Sequence, residues 1–121
     1  MKHTVFTGAA TALITPFTAT GVDYEAMGRL IDFQIAEGID ALVVTGTSGE
    51  ATTLDEQEYE EVIRFCVKRV AGKVPLIAGS GSNDTGLAIS RTKKASAAGV
   101  DAVLLAACRC VELEKSELNR A

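Results

Sequence analysis

Residues 44–54 read VTGTSGEATTL and place hydroxyl groups and glycines directly after a run of aliphatic residues. We call residues 45–54 the hydroxyl loop. Thr47 and Ser48 offer short hydroxyl donors, and Gly46 and Gly49 are expected to leave backbone N–H groups open, a combination that suits a carboxylate or a developing oxyanion. The alternative is a turn whose Ser and Thr side chains satisfy their own backbone. The residues alone leave both interpretations open.

The hydroxyl loop contains no base, nucleophile or metal ligand other than Glu50. Since a hydroxyl is a weak base, we expect it to orient a ligand or relay a proton for an acid–base group elsewhere. We expect Glu50 to accept backbone N–H groups and hold the loop. Near the ends of two other apolar runs, Pro16 is expected to fix a strand exit, and Asn83 to brace a loop.

The composition is that of an ordinary globular domain or part of a larger one, with 121 residues, 47% of them hydrophobic, and a net charge of −4. The mild acidity and the scattered Lys and Arg residues argue against nucleic-acid binding. No apolar run reaches about 18 residues, so no membrane span is expected. The apolar start is interrupted by threonines and ends at Pro16, which favours a buried strand over a signal peptide.

The three cysteines form an odd set, which together with the expected lack of a signal peptide favours the reducing cytoplasm. Cys108 and Cys110 are interpreted as thiols of an irregular tail. No metal site is expected, because zinc needs about four ligands and the chain has one histidine, His3.

Four short apolar runs alternate with patterns typical of helices. Continuous apolar runs bounded by Gly or Pro indicate parallel strands that are covered on both faces. Helices are expected to begin at Asp23, at Asp55 with Glu58 as a capping box, and near Asn83 to Thr85. The predicted strands are 9–15, 41–45, 74–79 and 102–106, and the predicted helix stops are Gly38, Gly72 and Gly99.

One sequence pattern occurs twice. The segment GIDALVV from Gly38 is echoed by GVDAVLL from Gly99, 61 positions later, which matches two β-α units of about 30 residues each. The echo indicates a reused helix-to-strand junction in a parallel α/β fold. Two closures fit this pattern: an open doubly wound sheet or half of an eight-stranded barrel.

The loops do not carry a nucleotide-binding signature. The first strand ends in Thr15-Pro16-Phe17, which cannot cradle a pyrophosphate, and Gly79-Ser80-Gly81 has Asn83 in place of a third glycine. No dinucleotide site is expected from these loops, and the sequence also lacks the phosphate-binding pattern G-x-x-x-x-G-K-[ST].

Four segments resemble the dihydrodipicolinate synthase (4-hydroxy-tetrahydrodipicolinate synthase) family, in the class I aldolase group that includes N-acetylneuraminate lyase. They are TALITPF at 11–17, GVDYEAMGRLIDFQIAEGIDALVVTGTSGEATTL at 21–54, VPLIAGSGSN at 74–83 and AGVDAVLL at 98–105. The GTSGEATTL loop looks more like the synthase branch than the lyase branch. The resemblance covers nearly all of residues 6–105.

The resemblance implies a (β/α)8 TIM barrel that condenses pyruvate with aspartate semialdehyde in lysine biosynthesis. A lysine would form a Schiff base with pyruvate, and no metal or organic cofactor would be needed. Thr47 would pass protons between two tyrosines, and Ser48, where the family usually has Thr, would hold the pyruvate carboxylate with its hydroxyl and N–H. Gly49 would belong to the same carboxylate cradle, and Ala12 would line the pocket floor.

The resemblance also indicates what this chain lacks. It covers the first four β-α units, so residues 1–121 are expected to form one partial barrel domain with a divergent tail at 106–121. The tail lacks the family's T-P-Y-Y-N-like segment, which suggests a truncated or frame-shifted gene. The Schiff-base lysine and both relay tyrosines are absent. The family's lysine-feedback site is only partly matched, which argues against lysine inhibition.

Two functions follow as hypotheses. The chain carries the first half of a synthase that is inactive alone, or it is a non-catalytic half barrel or small carboxylate-binding module. Unpaired edge strands of a half barrel are expected to cause self-association, for example of two halves that close one barrel.

Overall fold

The computed structural model describes residues 3–106, in which four strands alternate with three helices. The sheet is entirely parallel and its strands follow chain order. This arrangement matches the expected α/β architecture. The elements are β1 (Ala10–Ala12), α1 (Tyr24–Ala36), β2 (Ala41–Val44), α2 (Glu56–Val70), β3 (Leu76–Gly79), α3 (Thr85–Ala98) and β4 (Ala102–Leu104).

The strands are shorter than the apolar runs that predicted them. β1 ends at Ala12, and three residues later the Thr15 hydroxyl donates 2.7 Å to the carbonyl of Gly49 in the hydroxyl loop. β3 begins at Leu76, after Pro75, which has no N–H to donate to a ladder. The apolar residues beyond the strand ends differ in their burial, since Leu13 is buried whereas Ile14 and Leu105 are exposed.

Each helix begins at the aspartate that the sequence predicts. Asp23, Asp55 and Asp84 accept N–H groups of the first turns, and the full capping box of Asp55 and Glu58 is present. The stop of α1 differs by one residue from the prediction, because Glu37 rather than Gly38 is its C-cap. The stop of α2 differs by one residue as well. Ala71, rather than Gly72, is the C-cap and adopts a left-handed conformation with φ of 50°.

The repeated Gly-x-Asp segments form the same junction twice. Gly38 and Gly99 both have positive φ, at 85° and 99°, where glycine carries no Cβ penalty. The Asp40 carboxylate accepts the N–H of Ala9 at 2.8 Å, and the Asp101 carboxylate accepts the N–H of Leu76 at 2.8 Å. Each aspartate therefore attaches its own strand to the start of the preceding strand.

The core lies between the sheet and the helices, on one face of the sheet. Leu13, Leu42 and Val44 are buried there with residues of α1 and α2 such as Met27 and Val62. Ala78 and Ala95 belong to a second core cluster with Tyr59 and Ile63.

The opposite face of the sheet carries no helix among residues 3–106. Strand pairing aligns Ala12, Val43, Ile77 and Ala102 in one row across this face, which we call the open face. Leu104, which follows Ala102 on the same face of β4, is 53% exposed. No helix in the described residues is long and apolar enough to span a membrane. Cys108, Cys110 and the rest of the expected tail from residue 107 lie outside the described residues.

Candidate functional site

A cleft of about 370 Å³, lined by both polar and apolar groups, lies beyond the carboxyl ends of β2, β3 and β4. In parallel α/β folds this end of the sheet is where ligands bind. Six of the residues that line the cleft are Thr45, Thr47, Gly79, Asn83, Leu87 and Arg91. The structure therefore brings the hydroxyl loop together with the start of α3.

The hydroxyl loop is built from two successive turns. The N–H of Gly49 donates to the carbonyl of Gly46 at 3.1 Å, and the N–H of Glu50 donates to Thr47 at 3.1 Å. The expectation of an open N–H at Gly49 is therefore wrong, because the turn uses that group. Thr47 and Ser48 lie at the tip and are exposed, and no hydrogen bond within residues 3–106 involves Ser48.

Gly49 has a structural function that the sequence did not reveal. A Cβ at this position would lie 3.1 Å from the backbone nitrogen of Thr45 and 3.2 Å from the carbonyl of Leu13. The carbonyl of Gly49 also accepts the Thr15 hydroxyl. A glycine is needed here because the loop packs tightly against the exit of β1.

Two of the expected supporting residues act differently from the prediction, and the role of Pro16 at the strand exit stays a prediction. Glu50 holds the loop through its carbonyl, which accepts the N–H and the hydroxyl of Thr53, and not through its carboxylate. Asn83 is exposed at the cleft and makes no hydrogen bond among the described residues, where Asp84 caps α3. The carbonyl of Pro16 accepts the N–H of Asp23 at 2.8 Å, which connects the exit of β1 to α1.

Ala12 lies apart from the cleft. It is exposed on the open face, in the row that pairs it with Val43 of β2, whereas Thr47 lines the cleft beyond the strand ends. The described residues therefore do not bring Ala12 and Thr47 into one enclosed pocket.

A buried polar network supports the hydroxyl loop from below. The Thr45 hydroxyl lies 3.0 Å from the carbonyl of Gly79, which also accepts the Tyr59 hydroxyl at 2.8 Å. Burial raises the pKa of Tyr59, so the phenol stays protonated and able to donate. Gly79 leaves room for this approach, since a Cβ there would lie 2.4 Å from the carbonyl of Thr45.

Arg91 is the main site residue that sequence reasoning missed. Its side chain is buried, its Nε donates to Glu56 at 2.8 Å, and its two terminal nitrogens donate to the carbonyls of Ala51 and Leu54 at 3.1 Å each. The guanidinium also lies 4.6 Å from the ring centroid of Tyr59. One signal was present: Arg91 falls on the helical stripe of Ala88 and Ala95, where a charge needs a buried partner.

Glu56 connects α2 to α3 electrostatically. Burial on its own would raise the pKa of Glu56, but hydrogen bonds from Arg91 and Lys94 outweigh it and lower the pKa. Glu56 therefore remains ionised and balances the buried guanidinium.

Residues of the hydroxyl loop and of the segment 83–87 border the same cleft. Ala51, Thr52, Asn83 and Leu87 line it, whereas the Tyr59 hydroxyl is turned to the carbonyl of Gly79. Among residues 3–106, no group of three or more His, Cys, Asp or Glu side chains could hold a metal ion.

Parallel strands covered by helices on one face, with a cleft beyond their carboxyl ends, define part of a (β/α)8 TIM-barrel protein. The model of the dihydrodipicolinate synthetase family matches residues 5–115, and the chain belongs to that family.

Individual relatives agree with this assignment. A 4-hydroxy-tetrahydrodipicolinate synthase from Acetivibrio thermocellus is 50% identical over 104 residues, which are 86% of this chain and 36% of the relative. The crystal structure of dihydrodipicolinate synthase from Aquifex aeolicus is 49% identical with a TM-score of 0.79, over 81% of this chain and 33% of that one.

A third relative was solved with a ligand. The chloride-inhibited dihydrodipicolinate synthase from Acinetobacter baumannii, complexed with pyruvate, is 38% identical with a TM-score of 0.80, over 84% of this chain and 35% of that one. This chain thus spans about a third of the length of the relatives that it matches.

Proposed function

We propose that the hydroxyl loop binds the carboxylate of pyruvate within a site of the 4-hydroxy-tetrahydrodipicolinate synthase type. The observation that carries the proposal is the exposure of Thr47 and Ser48 together at the carboxyl end of β2. The pyruvate complex of the Acinetobacter baumannii relative supports the choice of ligand. The whole reaction would be the condensation of pyruvate with aspartate semialdehyde in lysine biosynthesis.

The two hydroxyls have different tasks in this proposal. Ser48 donates its hydroxyl and its N–H to the carboxylate. Because both donors lie at the exposed tip of the loop, this binding desolvates no buried group. Thr47 orients the ligand and passes a proton to an acid–base partner that lies outside the described residues. Gly49 supports this cradle by fixing the turn, since its own N–H is engaged.

The described part of the chain has no amine placed for a Schiff base. Lys68, Lys73 and Lys93 are exposed on helices or a turn, and Lys94 of α3 forms an ion pair with Glu56. None of the four lies on a strand. We therefore infer that this chain alone binds the keto acid without forming a covalent bond to it.

Pyruvate titration of the full chain, followed by NMR of the backbone amides, tests the proposal. We expect saturable shifts at Thr47, Ser48 and Gly49 with a dissociation constant on the order of 1 mM, the affinity of about −4 kcal/mol that a few polar contacts give. Ser48→Ala should weaken binding about tenfold, because a hydrogen bond to a charged group contributes about 1.5 kcal/mol. Borohydride added to the same samples should leave the intact mass unchanged.

Ser96→Ala is the matched control, since Ser96 is exposed on α3 away from the cleft, and it should bind pyruvate as the original chain does. Loop resonances that stay unchanged at millimolar pyruvate would overturn the proposal that the hydroxyl loop binds the carboxylate. A mass increase after borohydride would overturn the inference that no Schiff base forms.

The open face of the sheet favours a second property of the chain, self-association. We propose that residues 1–121 form one partial barrel domain whose copies pair through β1 and β4, the edge strands of the sheet. Ile14 and Leu104 are 56% and 53% exposed and add apolar surface next to these edges. We also infer a cytoplasmic location, for which the free thiol of Cys66 is the supporting observation.

A further inference from the structure

We propose that Arg91 is a positioning residue that sets the shape of the hydroxyl loop and thereby its affinity for a carboxylate. This inference rests on the proposed function, because the affinity it refers to is that of the loop for pyruvate. Arg91 itself need not touch the ligand. It acts through the backbone of the loop, from the neighbouring helix α3.

The contacts of Arg91 converge on the second half of the loop. Two of its nitrogens donate to the carbonyls of Ala51 and Leu54, which lie 40 and 37 positions away in the chain. Its Nε donates to Glu56, the first residue of α2. One side chain therefore joins the end of the loop, the start of the next helix and α3.

The Ala51 peptide connects Arg91 to the tip of the loop through hydrogen bonds. Its carbonyl accepts Arg91, and its N–H donates to the carbonyl of Gly46 at 3.4 Å. The residues between Gly46 and Ala51 include Thr47 and Ser48. The position of the Ala51 peptide consequently limits how far the two hydroxyls can separate or rotate.

The environment of Arg91 keeps it in one orientation. Its side chain is only 5% exposed, its charge is balanced by Glu56, and its guanidinium stacks over the Tyr59 ring. Stacking and a planar fork of donors are properties of arginine that lysine does not share. A lysine at this position could retain the charge but could not reach the three acceptors together.

Arg91→Lys is the decisive variant, with Arg69→Lys as its matched control. Arg69 also makes a two-pronged pair with a carboxylate, that of Asp32, but it joins α1 to α2 on the surface and makes no contact with the loop. The measurements on the full-length chain are the pyruvate dissociation constant, the exchange rates of the Gly49 and Ala51 amides, and urea unfolding.

We expect Arg91→Lys to weaken pyruvate binding about fivefold. It should also speed exchange of the Gly49 and Ala51 amides about tenfold, since the hydrogen bonds of the guanidinium to the carbonyls of Ala51 and Leu54 are lost. Arg69→Lys should change neither quantity. A second variant, Glu56→Gln, keeps Arg91 but removes its balancing charge, and it should change both quantities in the same direction by a smaller factor. It provides the test if Arg91→Lys does not fold.

The outcomes separate this inference from the proposed function. Lower stability with unchanged pyruvate affinity and unchanged loop exchange would show a merely structural role and would overturn the inference. If the original chain does not bind pyruvate, the proposed function fails. In that case, amide exchange of Gly49 and Ala51 that is faster in Arg91→Lys but not in Arg69→Lys would still support the inference that Arg91 positions the loop. Equal exchange rates in the two variants would overturn it.

Discussion

At the scale of single residues, the polar atoms below the hydroxyl loop are all paired. Among residues 3–106, no buried side-chain nitrogen or oxygen lacks a hydrogen-bond partner. Thr45 and Tyr59 share the carbonyl of Gly79, and Arg91 stacks on Tyr59. In such a network a substitution changes the surroundings of several polar groups at once, so its effect differs from that of one isolated hydrogen bond.

Cys66 predicts how stability depends on alkaline pH. Burial raises the pKa of this thiol from 9.0 to about 12. Between these values the unfolded chain loses a proton that the folded chain keeps, so the free energy of unfolding should fall with rising pH, by up to about 1.4 kcal/mol per pH unit. Urea unfolding of the original chain at pH 7, 9 and 10.5 measures this slope.

Cys66→Ala is the variant that identifies the group responsible. It should lower the free energy of unfolding at pH 7 because it opens a small cavity in the core. Between pH 9 and 10.5, however, the free energy of unfolding of the variant should fall less steeply than that of the original chain. Burial also raises the pKa of Tyr24 and Tyr59, whose contributions begin only near pH 10 and stay in the variant. Equal slopes in the two chains would contradict this interpretation.

At the scale of secondary-structure elements, the starts of the helices could be predicted from sequence and the ends of the strands could not. Capping is local chemistry, since Asp55 and Glu58 bond each other's backbone within one turn. The end of β1 depends on Gly49, which lies 34 positions from Thr15. The tip of the hydroxyl loop was likewise visible as a local motif, whereas Arg91 was missed because its partners lie in distant segments.

The cap of α2 provides a direct test at this scale. Asp55→Ala removes the acceptor for the N–H of Glu58, which lies 2.8 Å from the carboxylate, and should lower the free energy of unfolding by about 1 kcal/mol. Asp55→Asn should cost much less, because asparagine caps almost as well. Urea denaturation of both variants at pH 7 measures the difference, and an equal loss in the two would show that charge rather than capping stabilises the helix start.

At the scale of the whole molecule, the helices within residues 3–106 cover one face of the sheet and leave the other without a helix. The helices cover the face that includes Leu42 and Val44, whereas Ala12 and Leu104 lie on the open face. A barrel buries this inner face by closing on itself. The described residues make up four strands of such a closure, so apolar surface remains in contact with solvent.

We expect this surface to drive association of the chain. Sedimentation velocity at increasing protein concentration should show dimers or larger species, and Ile14→Lys combined with Leu104→Lys should shift the distribution toward monomer because charges oppose edge pairing. Phe33→Lys is the control, since this residue of α1 is 58% exposed but lies on a helix. A concentration-independent monomer for the original chain would end this proposal.

The paired junctions at Asp40 and Asp101 have a consequence for evolution and engineering. They align neighbouring strands at the amino-terminal rim, which is the end of the sheet opposite the cleft. These two junctions therefore support the alignment of β1 with β2 and of β3 with β4 from the rim that lies away from the loops at the carboxyl ends. Those loops can be exchanged for segments with a different ligand preference, while the β-α units beneath them keep their register.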